Sequence, residues 1–171
     1  METKQITPGK FSINYGLILG IIMVLIAVTM YATGMMLEGK QWPMYLYYII
    51  FPAFIIYTIS QYKKHNSGFL TLSDALKTGV ATAAISALVY AIYNILFNYV
   101  IDPEFMGKMM EITREKLYEN PNMTEDMVDN SVEMMEKFSN PILGSAIWIG
   151  LSAIFGLIYA LVGGLVMKKE A

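Results

Sequence analysis

Fourteen thioether groups in this sequence could bind a soft metal ion. Seven of the 14 methionines lie between residues 102 and 140, and thioethers are soft ligands that can hold Cu(I). The same spacing suits the apolar stripe of amphipathic helices, where methionine is a common filler. We therefore expect packing and no metal site, with Met110, Met127 and Met134 buried against each other or against the neighbouring helices. The seven methionines are Met106, Met109, Met110, Met123, Met127, Met134 and Met135.

Side-chain amides form a second group, on the third apolar segment. Asn94 and Asn98 are one helical turn apart, and Ser86 and Tyr90 continue the same face. Amides in hydrocarbon need partners, and hydrogen bonds between helices there contribute about 0.6 to 2 kcal/mol. This pattern predicts that the face fixes helix packing. The alternative is a polar path or ligand site between helices, although no ionisable residue lies deep enough to relay protons or bind an ion strongly.

Catalytic chemistry has no recognisable residue set in this sequence. The chain has no cysteine, and its one histidine, His65, adjoins Lys63 and Lys64, as expected for a solvated loop residue. Membrane hydrolases and transferases need a nucleophile with a base, or a metal. We therefore expect no catalytic residues, no cofactor and no enzymatic activity.

Four long apolar segments must position these groups. About 20 residues cross a hydrocarbon core roughly 30 Å thick, and a lipid-exposed backbone must satisfy its own hydrogen bonds, which favours helix. The predicted spans are 11–33, 42–60, 74–101 and 141–167, within a single membrane domain over 1–171. The first span follows Lys4 and Lys10 but is too long for the apolar core of a signal peptide, so we expect it to be retained.

The segment 102–140 has apolar residues at helical spacing, with charged residues on the opposite face. Pro103 suits the first turn of one helix, Asn120-Pro121 ends it, and Thr124 can cap a second. The predicted fold is therefore all-α: a polytopic membrane protein with four transmembrane helices and an extracytoplasmic amphipathic helical hairpin between helices three and four.

The distribution of charge predicts the orientation. Seven basic residues lie in the two tails and the link between helices two and three, close to helix ends, against five on the other side. The positive-inside rule then places both termini in the cytoplasm and 102–140 outside. That segment carries ten carboxylates and four basic side chains, a net charge of −6. Nucleic acid is excluded as a partner because no contiguous basic face is present.

Three further features bear on helix packing. Pro52 lies near the middle of the second helix and should kink it, while Ser73 and Asp74 suit the N-terminus of the third, with Ser73 as the cap. Small residues recur four apart on three helices, which allows close approach. Packing inside the bundle is favoured over a homo-oligomer face. The small residues are Gly16, Gly20, Gly79, Ala83, Ala87, Ala91, Gly156, Ala160 and Gly164.

Several sequence segments carry a family resemblance. These are 68–79 (GFLTLSDALKTG), 90–94 (YAIYN), 99–105 (YVIDPEF), 133–138 (EMMEKF) and the Gly/Ala-rich last helix. Together they resemble the bacterial membrane proteins grouped as domain-of-unknown-function family 4199. The resemblance implies a four-helix protein of the bacterial inner membrane with an extracytoplasmic insertion. It implies no activity and no catalytic residue.

Three classes of function follow. The leading hypothesis is a non-enzymatic accessory or interaction subunit whose hairpin docks a membrane or extracytoplasmic protein partner, or closes over the bundle. A second copy of the chain is an alternative partner. A small transporter or channel component is the second hypothesis, motivated by Pro52 and the Asn94/Asn98 face. A lipid-acting membrane enzyme is the least favoured.

Overall fold

Helices account for most of the computed structural model, which describes residues 6–40 and 42–169. The segment Phe97–Ile101 continues α3 as a π-helical turn. The helices of the described residues are α1 (Pro8–Ala32), α2 (Trp42–His65), α3 (Leu72–Leu96), α4 (Phe105–Tyr118), α5 (Glu125–Phe138) and α6 (Pro141–Met167).

Four of these helices are long and apolar enough to cross a membrane: α1, α2, α3 with its π-helical turn, and α6. Their outer faces expose large apolar side chains such as Ile49 and Val166, as lipid-facing helices do. The four predicted spans are thus confirmed as helices, with different ends. α1 begins at Pro8, and α2 continues to His65 because its basic last turn is favourable at a helix C-terminus.

Side-chain caps explain where several helices begin. The Thr124 hydroxyl accepts a hydrogen bond from Met127 N at 3.4 Å, so the predicted cap of α5 is confirmed. The predicted cap of α3 is wrong: Thr71, not Ser73, accepts from Asp74 N at 3.1 Å. Thr71 has the extended backbone that a cap needs, whereas Ser73 and Asp74 already lie in the first helical turn.

Proline residues also mark the entries of α4 and α6. Pro103 lies in the turn before α4, which starts at Phe105, so its predicted place in the first helical turn is wrong. Pro141 is the first residue of α6, and the Asn140 side chain caps that helix by accepting from Ile142 N at 2.9 Å.

α3 lies at the centre of the bundle and packs closely against both α1 and α6. On the α1 side, a Cβ atom added to Gly16 would lie 2.6 Å from Ile85 Cβ. On the α6 side, one added to Gly156 would lie 2.5 Å from Ala83 Cβ. The small residues therefore bring these backbones into contact, and the interpretation as packing inside the bundle is confirmed.

α2 packs much less extensively against the other three long helices. Its inner face is buried at Phe51, Ile55 and Ile59, and Pro52 lies inside the helix next to this face. Because small residues already bring α3 into close contact with both α1 and α6, α2 lies on the outside of this three-helix unit.

The end of the bundle near the α2–α3 link is closed by polar contacts. Leu70 and Lys169 exchange two backbone hydrogen bonds of 2.9 Å each. Lys63 Nζ donates to the Met167 carbonyl at 2.7 Å, and Ser12 Oγ donates to the Thr78 carbonyl at 3.0 Å. These bonds join all four long helices at this end.

The contact between α3 and α6 gives a direct test of this packing. We expect Gly156→Ala to lower thermal stability in detergent by about 1–3 kcal/mol, the usual cost of overpacking, because its Cβ would overlap Ala83. The matched control on the same helix is Gly150→Ala, whose Cβ would meet nothing within 4 Å. An equal melting temperature for the two variants would contradict the close packing.

Candidate functional site

A cavity of about 620 Å³ lies between α1, α2, α3 and α6. Its volume is within the roughly 300–1,000 Å³ typical of ligand pockets, which also favour sites between helices. It occupies the half of the bundle that includes the start of α2 and the α1–α2 link. α3 packs closely on α1 and α6, whereas α2 packs less closely on all three helices. The cavity is the space that remains between α2 and the other helices.

Aromatic rings form much of the cavity wall. The Tyr47 ring stacks on Phe51 with centroids 5.3 Å apart and lies 5.4 Å from Trp148, which in turn lies 6.0 Å from Tyr90. Methionines from α1, α2 and α4 complete an apolar surface, and the few polar groups are mainly hydroxyls. Such a wall suits an apolar ligand, and its hydroxyl groups can orient that ligand by hydrogen bonding.

The cavity is elongated along the helix axes. On α2 its lining extends from the beginning of the helix to Pro52. The lining on α2 begins at Pro43, and the nine residue steps from there to Pro52 span about 14 Å at 1.5 Å per residue, nearly half the thickness of a hydrocarbon core. Pro52, predicted as a kink, therefore lies beside the deep part of the cavity.

The mouth of the cavity combines backbone, cationic and apolar groups. Gly39 has a φ of +71°, which favours glycine, and Lys40 follows it. A Cβ at Gly39 would lie 2.9 Å from Lys116 Nζ, so a second ammonium group reaches this point from α4. Phe105 and Met109 of α4 also line the cavity.

The entry to α4 is held by a small polar cluster. Asp102 follows the π-helical turn, and its N–H bonds the Phe97 carbonyl at 2.9 Å. Its carboxylate accepts a hydrogen bond from the Tyr31 hydroxyl at 3.0 Å and lies 3.6 Å from Lys108 Nζ. The Phe105 ring packs against Tyr31 and Phe97, with centroids 5.6 and 5.2 Å away. α4 is thus tied to the end of α1.

Sequence reasoning missed this cluster. Tyr31 and Asp102 are 71 residues apart, and neither a periodicity nor a motif relates them. A signal was nevertheless present: an aspartate directly follows the third apolar segment, where a buried carboxylate needs a donor.

The predicted polar face on α3 divides into two parts. Asn94 Nδ2 donates to Ser145 Oγ at 3.1 Å and to the Pro141 carbonyl at 3.4 Å, both on α6. Asn98 Nδ2 donates to the Asn94 carbonyl at 2.8 Å and to Asn94 Oδ1 at 3.1 Å. The Asn94 amide therefore bonds across to α6, whereas the Asn98 amide bonds only within α3. Ser86 and Tyr90 line the cavity instead.

The methionine stripe of α5 is placed differently from the prediction. Met127 and Met134 are 49% and 62% exposed, so their expected burial is wrong. α5 turns Val128 inward, and Val128 is fully buried. Arg114 and Asp129 form an ion pair between α4 and α5 at 3.0 Å, and the face of Met127 and Met134 is left uncovered.

Arg114 also stacks on the Tyr118 ring, with its guanidinium carbon 5.7 Å from the centroid. The Tyr118 hydroxyl, and then the Asp129 carboxylate, raise the pKa of Arg114, so the Arg114 guanidinium keeps its charge at any physiological pH. Within 6–40 and 42–169, no three His, Cys, Asp or Glu side chains come together as metal ligands would.

These features define an all-helical protein with four helices of membrane-spanning length, consistent with an integral membrane protein, and with an apolar cavity between them. Residues 14–169 match the family described as Protein of unknown function (DUF4199), and the chain belongs to this family. No curated protein and no solved structure matches the chain.

The hydrogen bond between Asn94 and Ser145 provides the second test. Asn94→Leu and Ser145→Ala should each lower the melting temperature in detergent. Because both remove the same bond, the double variant should lose less than the sum of the two, with a coupling of about 0.5–1.5 kcal/mol. Strictly additive losses in this double-mutant cycle would show that the bond does not stabilise the bundle.

Proposed function

We propose that the protein is a non-enzymatic accessory or interaction subunit of the bacterial inner membrane, which binds a protein partner through the α4–α5 hairpin. One observation carries this proposal: the hairpin exposes an apolar stripe formed by Met127, Met134 and Phe138. These side chains are 49%, 62% and 60% exposed. They lie seven and four residues apart, on one face of α5.

A groove between α4 and α5 extends the apolar stripe. Thr113 and Leu117 line it from α4, and Met135 and Phe138 line it from α5. Since these helices lie outside the four spanning segments, the groove is not explained by contact with lipid chains. A contiguous apolar surface exposed in water is typical of a protein interaction site.

Charge favours a protein with a basic rim as the partner. The segment 102–140 carries a net charge of −6, so the hairpin that presents the apolar stripe is acidic. An anionic membrane surface would repel this face, because such surfaces attract basic segments. A partner with apolar side chains surrounded by lysine or arginine would complement the hairpin in both respects.

The proposed orientation places both termini in the cytoplasm and the hairpin outside. Its support is the positive-inside distribution of basic residues. The aromatic side chains Trp42, Tyr45 and Tyr48 also suit a membrane interface at the start of α2, where they are 54%, 61% and 60% exposed. The partner would then be an extracytoplasmic or membrane protein.

The proposal assigns no reaction to the protein. The described lining of the cavity has hydroxyl groups and Lys40 but no histidine or carboxylate that could activate them. A transporter or channel component is the second candidate, favoured by the position of the cavity beside Pro52. At the opposite end of the bundle, away from the cavity, backbone hydrogen bonds join Leu70 and Lys169.

Orientation can be tested with single cysteines, since the chain has none of its own. We expect Glu119→Cys to react with a membrane-impermeant thiol reagent on intact spheroplasts, and Ser67→Cys to react only after permeabilisation. Both positions are exposed, so access alone decides the result. Labelling of Ser67→Cys but not Glu119→Cys on intact spheroplasts would reverse the orientation.

The docking surface can be tested by crosslinking in cells. A photoreactive phenylalanine analogue in place of Met134 should give a discrete protein adduct. The same analogue in place of Glu111, an exposed α4 residue on the charged face, serves as the control and should give none. Met134→Glu should abolish copurification of the crosslinked protein while changing stability by no more than about 0.5 kcal/mol.

Crosslinks at both positions, or at neither, would contradict a specific partner on the apolar stripe. Adducts with lipid alone from Met134 would show that this face lies on the membrane surface instead.

A further inference from the structure

We propose that the cavity holds one acyl chain of an anionic lipid, with its headgroup between Lys40 and Lys116. This site is separate from the hairpin groove and does not depend on a protein partner.

The shape and chemistry of the cavity suit an acyl chain. It is about 620 Å³ in volume and extends about 14 Å along α2. Apolar cavities do not hold water stably because the water lacks polar partners. A protein with four spanning helices is surrounded by lipid acyl chains, which are therefore the available apolar ligand. Methionine side chains adapt to flexible apolar ligands.

The cavity also has an opening toward the surrounding lipid. Tyr48 on α2 and Leu151 and Phe155 on α6 line the cavity and are 60%, 44% and 48% exposed. One rim therefore lies on the outer surface, where the cavity leaves a gap between α2 and α6. A lipid chain can enter sideways through this gap.

Two ammonium groups at the mouth favour an anionic headgroup. Lys40 lines the cavity, and Lys116 Nζ lies 2.9 Å from the position of a Cβ on Gly39. Lys116 forms no ion pair with any residue in the described part of the chain. Lys40 pairs with Glu38 at 2.6 Å, but both side chains are more than half exposed, so an anionic headgroup can replace this weak partner.

α4 covers the end of the cavity that lies near the start of α2. Phe105 and Met109 contribute apolar surface there, and the bond from the Tyr31 hydroxyl to Asp102 holds α4 in place. The chain would lie under these side chains, while the headgroup would remain at the polar mouth beside Lys40 and Lys116.

Tryptophan fluorescence offers a direct readout, because the chain has two tryptophans and Trp148 lines the cavity. In a Trp42→Phe background, 9,10-dibromostearate should quench Trp148 saturably, since its bromines would lie along the cavity wall. Excess unbrominated stearate should reverse the quenching. The Trp148→Phe protein, which keeps Trp42, should lack the saturable component.

Lys40→Gln with Lys116→Gln should weaken the apparent affinity for dibromostearate at least fivefold, because each ammonium near the surface attracts the anion. Binding of the uncharged dibromostearate methyl ester should change less than twofold. Lys137→Gln, an exposed α5 control that pairs with Glu133, should change neither. Ala27→Leu, which adds volume at the cavity wall, should reduce saturable quenching by both compounds.

Brominated phosphatidylglycerol and phosphatidylcholine in vesicles distinguish the lipid sources. Saturable quenching by the former identifies a phospholipid chain, whereas quenching by dibromostearate alone identifies a free fatty acid. Quenching that never saturates, or that Ala27→Leu leaves unchanged, would overturn the cavity site. Equal loss of acid and ester binding in the double lysine variant would overturn the headgroup assignment.

Discussion

Backbone contact between α3 and its two neighbours, α1 and α6, is the constraint on which the rest of the structure depends. Lipid tails are as apolar as leucine, so membrane helices gain little from burying large side chains and associate best where small residues allow close approach. Gly16, Gly156 and Ala83 lie at such contacts. Because α3 is packed closely against two neighbouring helices, it has little surface left for close contact with a third helix.

The position of α2 follows from that limit. It contacts the three-helix unit mainly through Phe51, Ile55 and Ile59, which are large side chains and keep the backbones apart. Toward the start of α2, beyond these three residues, aromatic rings and methionines line the cavity and leave it unfilled. The cavity is thus a product of helix packing, and its chemistry comes from the side chains that α2 and α6 present to each other.

Much of this fold could be predicted from local patterns, and the site could not. Hydropathy located the four long helices, and helical spacing located α4 and α5, because both signals are carried by neighbouring residues. Asn94 was interpretable because an amide in hydrocarbon needs a partner. The cavity, the bond between Tyr31 and Asp102, and the approach of Lys116 to Gly39 depend on how distant segments meet. The rotation of α5 about its own axis could not be predicted either. Its apolar stripe identifies one face of the helix but does not say which neighbour, if any, covers that face.

The bridge between Leu70 and Lys169 has a mechanical consequence. With Lys63 bound to the end of α6 as well, the last turns of α2 and α6 are fixed to each other at one end of the bundle. At its other end α2 begins beside a cavity, and Pro52, which cannot donate a backbone hydrogen bond, lies between the two halves. Pro52 therefore separates a half of α2 that is hydrogen-bonded to the end of α6 from a half that lines the cavity and leads back to Lys40.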